Sequence, residues 1–123
     1  MQVLDTNILV YYSQDDSLVV DFIASQLPAR RSFIVPTIVI VEFLCYPSIG
    51  EIEQRKFESI LGYCNIMDLT HDIALKAATV RKLHRLSLGD SVIGATALLT
   101  NSPLVTRNVK DFQKVKGLEV IRC

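Results

Sequence analysis

Short apolar runs alternate with longer segments of helical spacing along the chain, and this alternation constrains the fold more than any other feature. A helix is predicted from near Leu18 to Leu27, where Pro28 would end it, and amphipathic spacing predicts another over 51–64. Strands that alternate with helices predict an α/β domain with a mostly parallel sheet. The candidate strands are 2–5, 33–35, 103–106, 118–121 and 65–69, the last being either a short strand or an extended link.

Length and composition narrow the class of protein. The 123 residues, half of them hydrophobic, suffice for a single domain that spans 1–123. Thirteen basic and thirteen acidic residues give zero net charge, which argues against coating nucleic acid by bulk electrostatics but permits a basic rim around an acidic centre.

Cysteine usage and hydropathy predict a cytoplasmic protein with no membrane partner. Cys45, Cys64 and Cys123 are odd in number and far apart, which suits a reducing compartment and gives no zinc motif. No signal-peptide pattern is evident at the N-terminus, and the longest apolar run, 33–45, is too short and too interrupted to span a bilayer.

The segment Thr37–Leu44 supports two assignments. Its β-branched residues favour a strand by propensity. However, Pro36 and Thr37 together form a plausible helix start, and Pro47 a plausible end. Propensity alone would choose the strand.

Three of the thirteen acids lie in unusual surroundings. Asp5 and Glu42 are embedded in strongly apolar sequence, and Asp90 follows a glycine at the start of an apolar helix, predicted over 91–99. Each also has a structural explanation, as a helix cap, an arginine partner or a favourable helix N-terminal charge. An acid directly after a buried strand would stand at the sheet edge where α/β domains bind ligands, and burying it is costly unless it is paired or binds a metal.

Further polar side chains are predicted at the same sheet edge. The loop after Val105 supplies Thr106, Asn108 and Asp111, while Asn7 follows Asp5 and could cap a helix that starts near Ile8. Oxygen ligands clustered without histidine or cysteine suit hard divalent cations such as Mg²⁺ or Mn²⁺.

Four stretches of the chain resemble, in order and spacing, the motifs of PIN-domain ribonucleases. They are Asp5-Thr6-Asn7, Val41–Leu44, Gly89–Ala97 and Leu104–Phe112. The similarity spans nearly the whole chain, and the small size resembles the VapC-like toxins of type II toxin–antitoxin pairs. The resemblance implies a three-layer α/β/α domain, in which 37–45 is a helix that carries Glu42 inward.

The resemblance also implies roles for individual residues. Asp5, Glu42 and Asp90 match three acidic catalytic positions, with Asp5 and Asp90 as metal ligands. The fourth position is open between neutral Asn108 and acidic Asp111, of which we favour Asp111 as an outer contributor. The polar supports that orient carboxylates or waters would be Thr6, Asn7, Thr106 and Asn108.

The implied activity is a Mg²⁺- or Mn²⁺-dependent endoribonuclease that hydrolyses phosphodiester bonds by metal-activated water. Arg107, next to the expected pocket, is the favoured RNA contact. A cognate antitoxin and a homodimer are the expected partners besides RNA. The alternatives are a PIN-fold nuclease without an antitoxin, for RNA processing or DNA cleavage, and a non-catalytic module that binds RNA or protein.

Overall fold

A computed structural model describes residues 1–27 and 32–123, and in this part of the chain strands and helices alternate as predicted. The strands are β1 (Gln2–Leu4), β2 (Phe33–Pro36), β3 (Asn65–Met67), β4 (Leu104–Thr106) and β5 (Val120–Arg122). The helices are α1 (Thr6–Ser13), α2 (Ser17–Gln26), α3 (Thr37–Leu44), α4 (Glu51–Leu61), α5 (His71–His84), α6 (Leu88–Leu99) and α7 (Val109–Phe112). Pro28, the predicted end of the second helix, lies outside the described residues.

The five strands form one sheet in the order β3-β2-β1-β4-β5, and every pairing is parallel. The prediction of a mostly parallel sheet in an α/β/α arrangement is therefore confirmed. The chain builds outward from β1 through β2 to β3, and then crosses back to place β4 on the other side of β1. This reversal is a topological switch point, where the loops that leave β1 and β4 diverge and open a crevice at the carboxyl edge.

Buried apolar residues explain why α3 is a helix despite its β-branched sequence. Val39 and Phe43, four residues apart, both point into the core, and the ring of Phe43 stacks on Phe57 with centroids 3.9 Å apart. In a strand, the residue midway between these two would lie on the same face and be buried with them. That residue is exposed, so the burial pattern fits a helix and not a strand. Tertiary packing therefore overrides strand propensity here, and the helix that the family resemblance implied is confirmed.

Two helix starts differ from the predictions. Helix α1 begins at Thr6 rather than near Ile8, and its N-cap is Asp5 instead of Asn7. Helix α6 begins at Leu88, which places Asp90 within its first turn rather than before it. In both cases the side-chain oxygen of the preceding cap residue accepts a hydrogen bond from a backbone amide of the first turn that would otherwise be unpaired.

None of the helices in the described part of the chain has the length and apolar character needed to span a membrane. All three cysteines are free thiols, so no disulfide contributes to the fold.

Candidate active site

Three elements bring Asp5, Glu42 and Asp90 together at the carboxyl edge of the sheet. Asp5 follows β1 at the switch point, Glu42 lies on α3, and Asp90 lies in the first turn of α6. Their negative charges interact, since Asp90 and Glu42 both raise the pKa of Asp5, and Glu42 raises that of Asp90. The sequence singled out these three acids, and the structure gathers them into one pocket.

Asp5 is almost completely buried and held by neutral hydrogen-bond donors. Its Oδ1 accepts from the backbone amide of Thr6 at 2.8 Å, and its Oδ2 accepts from Thr106 Oγ1 at 2.7 Å. Thr106 Oγ1 in turn accepts from the amide of Asn108 at 2.9 Å. The threonine that ends β4 thus fixes the acid that ends β1, and neither hydrogen bond supplies a positive charge.

The pKa of Asp5 is raised from 3.8 to about 6. Burial is the main cause, and the negative charges of Asp90 and Glu42 add to it, while the hydrogen bonds from Thr106 and Thr6 act in the opposite direction. A carboxyl that titrates this close to neutrality in a ligand-binding crevice is typical of a functional site.

Glu42 reaches the pocket because Gly89 leaves room for it. Thr6 Oγ1 donates to Glu42 Oε1 at 2.6 Å, which orients the carboxylate. A Cβ atom at position 89 would lie about 2.3 Å from Glu42 Oε2, so any side chain there would displace the carboxylate. The sequence analysis noted this glycine only as part of a motif and missed its steric role, which depends on the approach of α3 to α6.

Asp90 is half-buried, and its pKa is also raised. Burial is the largest cause, followed by the charge of Glu42; the hydrogen bond with Ser87 lowers the pKa, and the charge of Asp111 raises it by a smaller amount. Ser87 caps α6, its Oγ accepting from the amide of Asp90 at 3.1 Å. The cap fixes the backbone that carries this carboxylate.

The fourth position contains Asn108 and Asp111 together. Asn108 Nδ2 donates to Asp111 Oδ2 at 3.1 Å, and the influence of Asp111 on the pKa of Asp90 places its charge near the pocket. The two candidates for the fourth position are therefore hydrogen-bonded neighbours. Asn7, in contrast, is exposed on the first turn of α1. The catalytic and supporting roles of these residues stay predictions.

The Arg107 guanidinium is engaged within the protein. Nη1 and Nη2 donate to the two carboxylate oxygens of Asp16, each at 2.9 Å, and Nε donates to the carbonyl of Cys123 at 2.9 Å. The group also lies over the ring of Tyr11, 4.3 Å from its centroid. These partners are distant in sequence, so sequence reasoning missed them, and the RNA contact of Arg107 stays a prediction.

The donor set fits the hard cation that the family resemblance implies. Within residues 1–27 and 32–123, no group of three or more His, Cys, Asp or Glu side chains forms a ready metal cage. Mg²⁺, however, is usually held by one or two carboxylates and keeps several waters. Asp5 and Asp90 are oxygen donors with raised pKa values, and a divalent cation would relieve their repulsion. These two residues could hold Mg²⁺ or Mn²⁺.

Known structures with the same fold include VapBC proteins and a toxin–antitoxin complex. VapBC2 from Rickettsia felis, bound to a DNA fragment from the promoter, aligns with a TM-score of 0.84 and 21% identity over 99% of this chain and 98% of that one. A toxin–antitoxin complex from Klebsiella pneumoniae gives 0.82 and 28% identity over 98% and 96%. VapBC-1 from nontypeable Haemophilus influenzae gives 0.76 and 24% identity over 98% and 96%.

Sequence comparison identifies the family independently of the structure. No protein with a curated description matches the chain. Residues 3–118, however, match the PIN domain family, a range that includes all the acids of the pocket. The resemblance predicted from four short motifs is therefore confirmed, and the chain belongs to the PIN domain family.

Proposed function

We propose that this protein is a metal-dependent endoribonuclease and the toxin of a toxin–antitoxin pair. The observation that carries the nuclease proposal is the group of carboxylates Asp5, Glu42 and Asp90 at the switch point. Within the described ranges none of the three has an ion-pair partner, and burial and the neighbouring negative charges raise the pKa values of Asp5 and Asp90. A site that concentrates negative charge without protein cations favours a cationic cofactor.

Each residue has a definite part in this proposal. Asp5 and Asp90 would hold Mg²⁺ or Mn²⁺, which when bound supplies positive charge for phosphoryl oxygens and a nucleophile from water at neutral pH. Thr106 holds Asp5, and Thr6 orients Glu42 so that its second oxygen faces Gly89. Glu42 can accept a proton from water or position it, because its carboxylate is only partly buried.

The toxin role rests on the relatives. The structure from Klebsiella pneumoniae is a toxin–antitoxin complex, and this chain covers nearly all of the matched chain there and in VapBC-1 from Haemophilus influenzae. A chain of similar length and fold is expected to have a cognate antitoxin, to act on RNA in the cytoplasm and to form a homodimer.

Arg107 does not change the reaction class. Because Arg107 is paired with Asp16, its main role is to hold the loop after β4 against the start of α2. No described side chain near the acids resembles a serine or cysteine nucleophile next to a histidine base, since both histidines, His71 and His84, lie on α5. Hydrolysis by activated water is therefore the favoured mechanism.

A non-catalytic PIN-like module is the second candidate. The neutral Asn108 side chain occupies part of the fourth position, which lowers the negative charge available there. A pocket with three acids and no fourth carboxylate directed at the metal could bind RNA without cleaving it. A nuclease that works without an antitoxin is the third.

Cleavage of RNA by the purified protein tests the catalytic proposal. We expect a single-stranded RNA to be cut with Mg²⁺ or Mn²⁺, and the cutting to stop with a chelator and in Asp90→Asn, with the Asp90→Asn protein folded as judged by circular dichroism. RNA binding without cleavage under either metal would favour the module.

Growth of cells that express the chain tests the toxin role separately. Wild-type protein is expected to arrest growth, Asp5→Asn is not, and co-expression of the protein encoded by an adjacent short gene is expected to restore growth. Equal growth with wild type and Asp5→Asn, both present as folded protein, would contradict the toxin role while leaving the nuclease activity testable in vitro.

A further inference from the structure

Three basic residues lie at the C-terminal end of α5. Arg81 and Lys82 belong to its last turn, and Arg85 follows as the C-cap, four residues after Arg81 and three after Lys82. All three are exposed, and the ion pairs between described residues involve other cations, namely Arg55, Lys56 and Arg107. Because Arg107 is paired with Asp16, these three residues are candidates among the described residues for contacts with an anion.

The backbone at Arg85 gives an independent reason to look for a role. Arg85 ends α5 in the left-handed conformation, with φ 54° and ψ 39°. Glycine is the least strained residue at such a helix end, and non-glycine residues there are uncommon. The helix dipole favours basic residues in the last turn, but it does not require an arginine at the one position where glycine would fit better.

A cavity of about 360 Å³ separates two of these cations, Arg81 and Lys82, from the turn of α6 that carries Asp90. The cavity lies between α5 and α6 and is lined by Ala77, Ala78, Arg81, Lys82, Leu88 and Ser91. Leu88 and Ser91 belong to the first turns of α6 and flank Asp90 in the sequence. The cavity and Asp90 thus share the start of α6, and a chain that continues from the acids around this helix end would reach Arg81 and Lys82.

We propose that Arg81, Lys82 and Arg85 form a phosphate-binding surface for single-stranded RNA, next to the acid pocket. The proposal rests on the nuclease function proposed above. An acidic centre repels a polyanion, so neighbouring cations are needed to raise the local concentration of substrate and hold its backbone. The small side chains of Ala77 and Ala78 leave room for a ribose or a base beside the bound phosphates, and Leu88 offers it an apolar contact.

Equilibrium binding without cleavage tests the surface. The affinity of a fluorescein-labelled single-stranded RNA is measured by anisotropy in a chelator at several salt concentrations. The triple variant Arg81→Gln, Lys82→Gln, Arg85→Gln should raise the Kd about tenfold. The slope of log K against log salt should fall by about 2, because each phosphate contact contributes about 0.7 for single strands.

A matched control distinguishes the effect of this surface on RNA affinity from the effect of the protein's overall charge. Lys76→Gln, Lys114→Gln and Lys116→Gln remove the same three charges from exposed positions that do not line this cavity. This control should leave the Kd within about twofold of wild type. The double variant Arg81→Lys, Arg85→Lys keeps all three positive charges, so its slope of log K against log salt should equal that of wild type. Equal weakening by both triple variants, or no weakening by the first, would overturn the proposal.

Competition and cleavage assays assign the ligand and the function separately. An acidic peptide of matched charge that displaces RNA as well as unlabelled RNA does would contradict the RNA assignment. With Mg²⁺ or Mn²⁺, the first triple variant should raise KM for long RNA about tenfold with little change in kcat, and should cleave a dinucleotide as wild type does. If wild type cleaves neither substrate, the nuclease proposal fails, and the binding assay still decides the surface.

Discussion

Asp5 and Asp16 have the same place at the start of a helix, but their side-chain pKa values are shifted in opposite directions. Each is the N-cap of a helix and accepts a backbone amide of the first turn, from Thr6 in one case and Val19 in the other. Yet the pKa of Asp5 is raised to about 6, whereas the bidentate hydrogen bonds from Arg107 hold the pKa of Asp16 below its ordinary value. One aspartate is paired by the protein, and the other lacks a cation.

The difference lies in what tertiary structure places opposite each carboxylate. A guanidinium from the end of β4 meets Asp16, while two further carboxylates, Glu42 and Asp90, approach Asp5. A helix cap stabilises a fold equally well with a paired or an unpaired aspartate, so capping does not explain the unpaired one. An unpaired, buried carboxylate costs stability, and a function is the physical reason to retain it.

The largest expected effect is on catalysis when Asp5 is changed. Asp5→Asn keeps the shape and the cap but removes the charge, so RNA cleavage should fall about 1,000-fold, since several kcal/mol of cation-mediated stabilisation would be lost. Cleavage is measured by gel with Mg²⁺ or Mn²⁺. Asp16→Asn serves as the control and should retain most activity. Comparable loss in both variants would abolish the functional distinction between the two aspartates.

The next effect is on the pH dependence of stability in metal-free protein. The folded-state pKa of Asp5 exceeds its ordinary value of 3.8, so the folded chain binds the proton more tightly than the unfolded chain does. Relative to Asp5→Asn, the wild-type free energy of unfolding should therefore be highest below about pH 4 and should fall by roughly 3 kcal/mol as the pH rises through about 6.

Urea unfolding of both proteins between about pH 4 and 8 measures this difference. Added Mg²⁺ at neutral pH should stabilise wild type and leave Asp5→Asn unchanged. Stability curves that stay parallel across the whole pH range would show that burial does not perturb Asp5.

Gly89→Ala tests whether the pocket needs its acids in place. The added Cβ would displace the Glu42 carboxylate, so cleavage should fall about tenfold, as is typical when a supporting contact is lost. Stability should be unchanged or rise by about 0.5 kcal/mol, because alanine suits a helix. Gly94→Ala is the matched control on the same helix, since its Cβ would meet only Phe112 Cε1 at 3.9 Å. Full activity in Gly89→Ala would contradict the steric role.

The smallest expected effect concerns the paired aspartate. Arg107→Lys loses the bidentate geometry, so the pKa of Asp16 should rise, as followed by NMR titration, and Tm should fall by a few degrees. Arg55→Lys is the control, because its pair with Glu51 is largely exposed and such pairs contribute little. An unchanged pKa of Asp16 in Arg107→Lys would show that the pairing does not set its charge.

Sequence reasoning recovered the parts of the site that differ from their local surroundings. Asp5 and Glu42 stood out as acids in apolar sequence, and Asp90 as an acid at the start of an apolar helix. The same reasoning did not predict the contacts of Arg107 with Asp16 and Tyr11, which join residues about ninety positions apart. Local pattern carries no information about such pairs.

The sequence by itself determined the alternation of strands and helices, and hence a parallel sheet with ligand-binding loops at its carboxyl edge, because hydrophobic periodicity is a local property. It also supplied the opening stretch in which Asp5 ends a buried strand. Only the tertiary structure decided that Thr37–Leu44 is a helix, that Gly89 makes room for Glu42, and that Asp5 lacks the cation that Asp16 has. These outcomes depend on which distant elements pack together, and the energies of burial and charge are set by those neighbours.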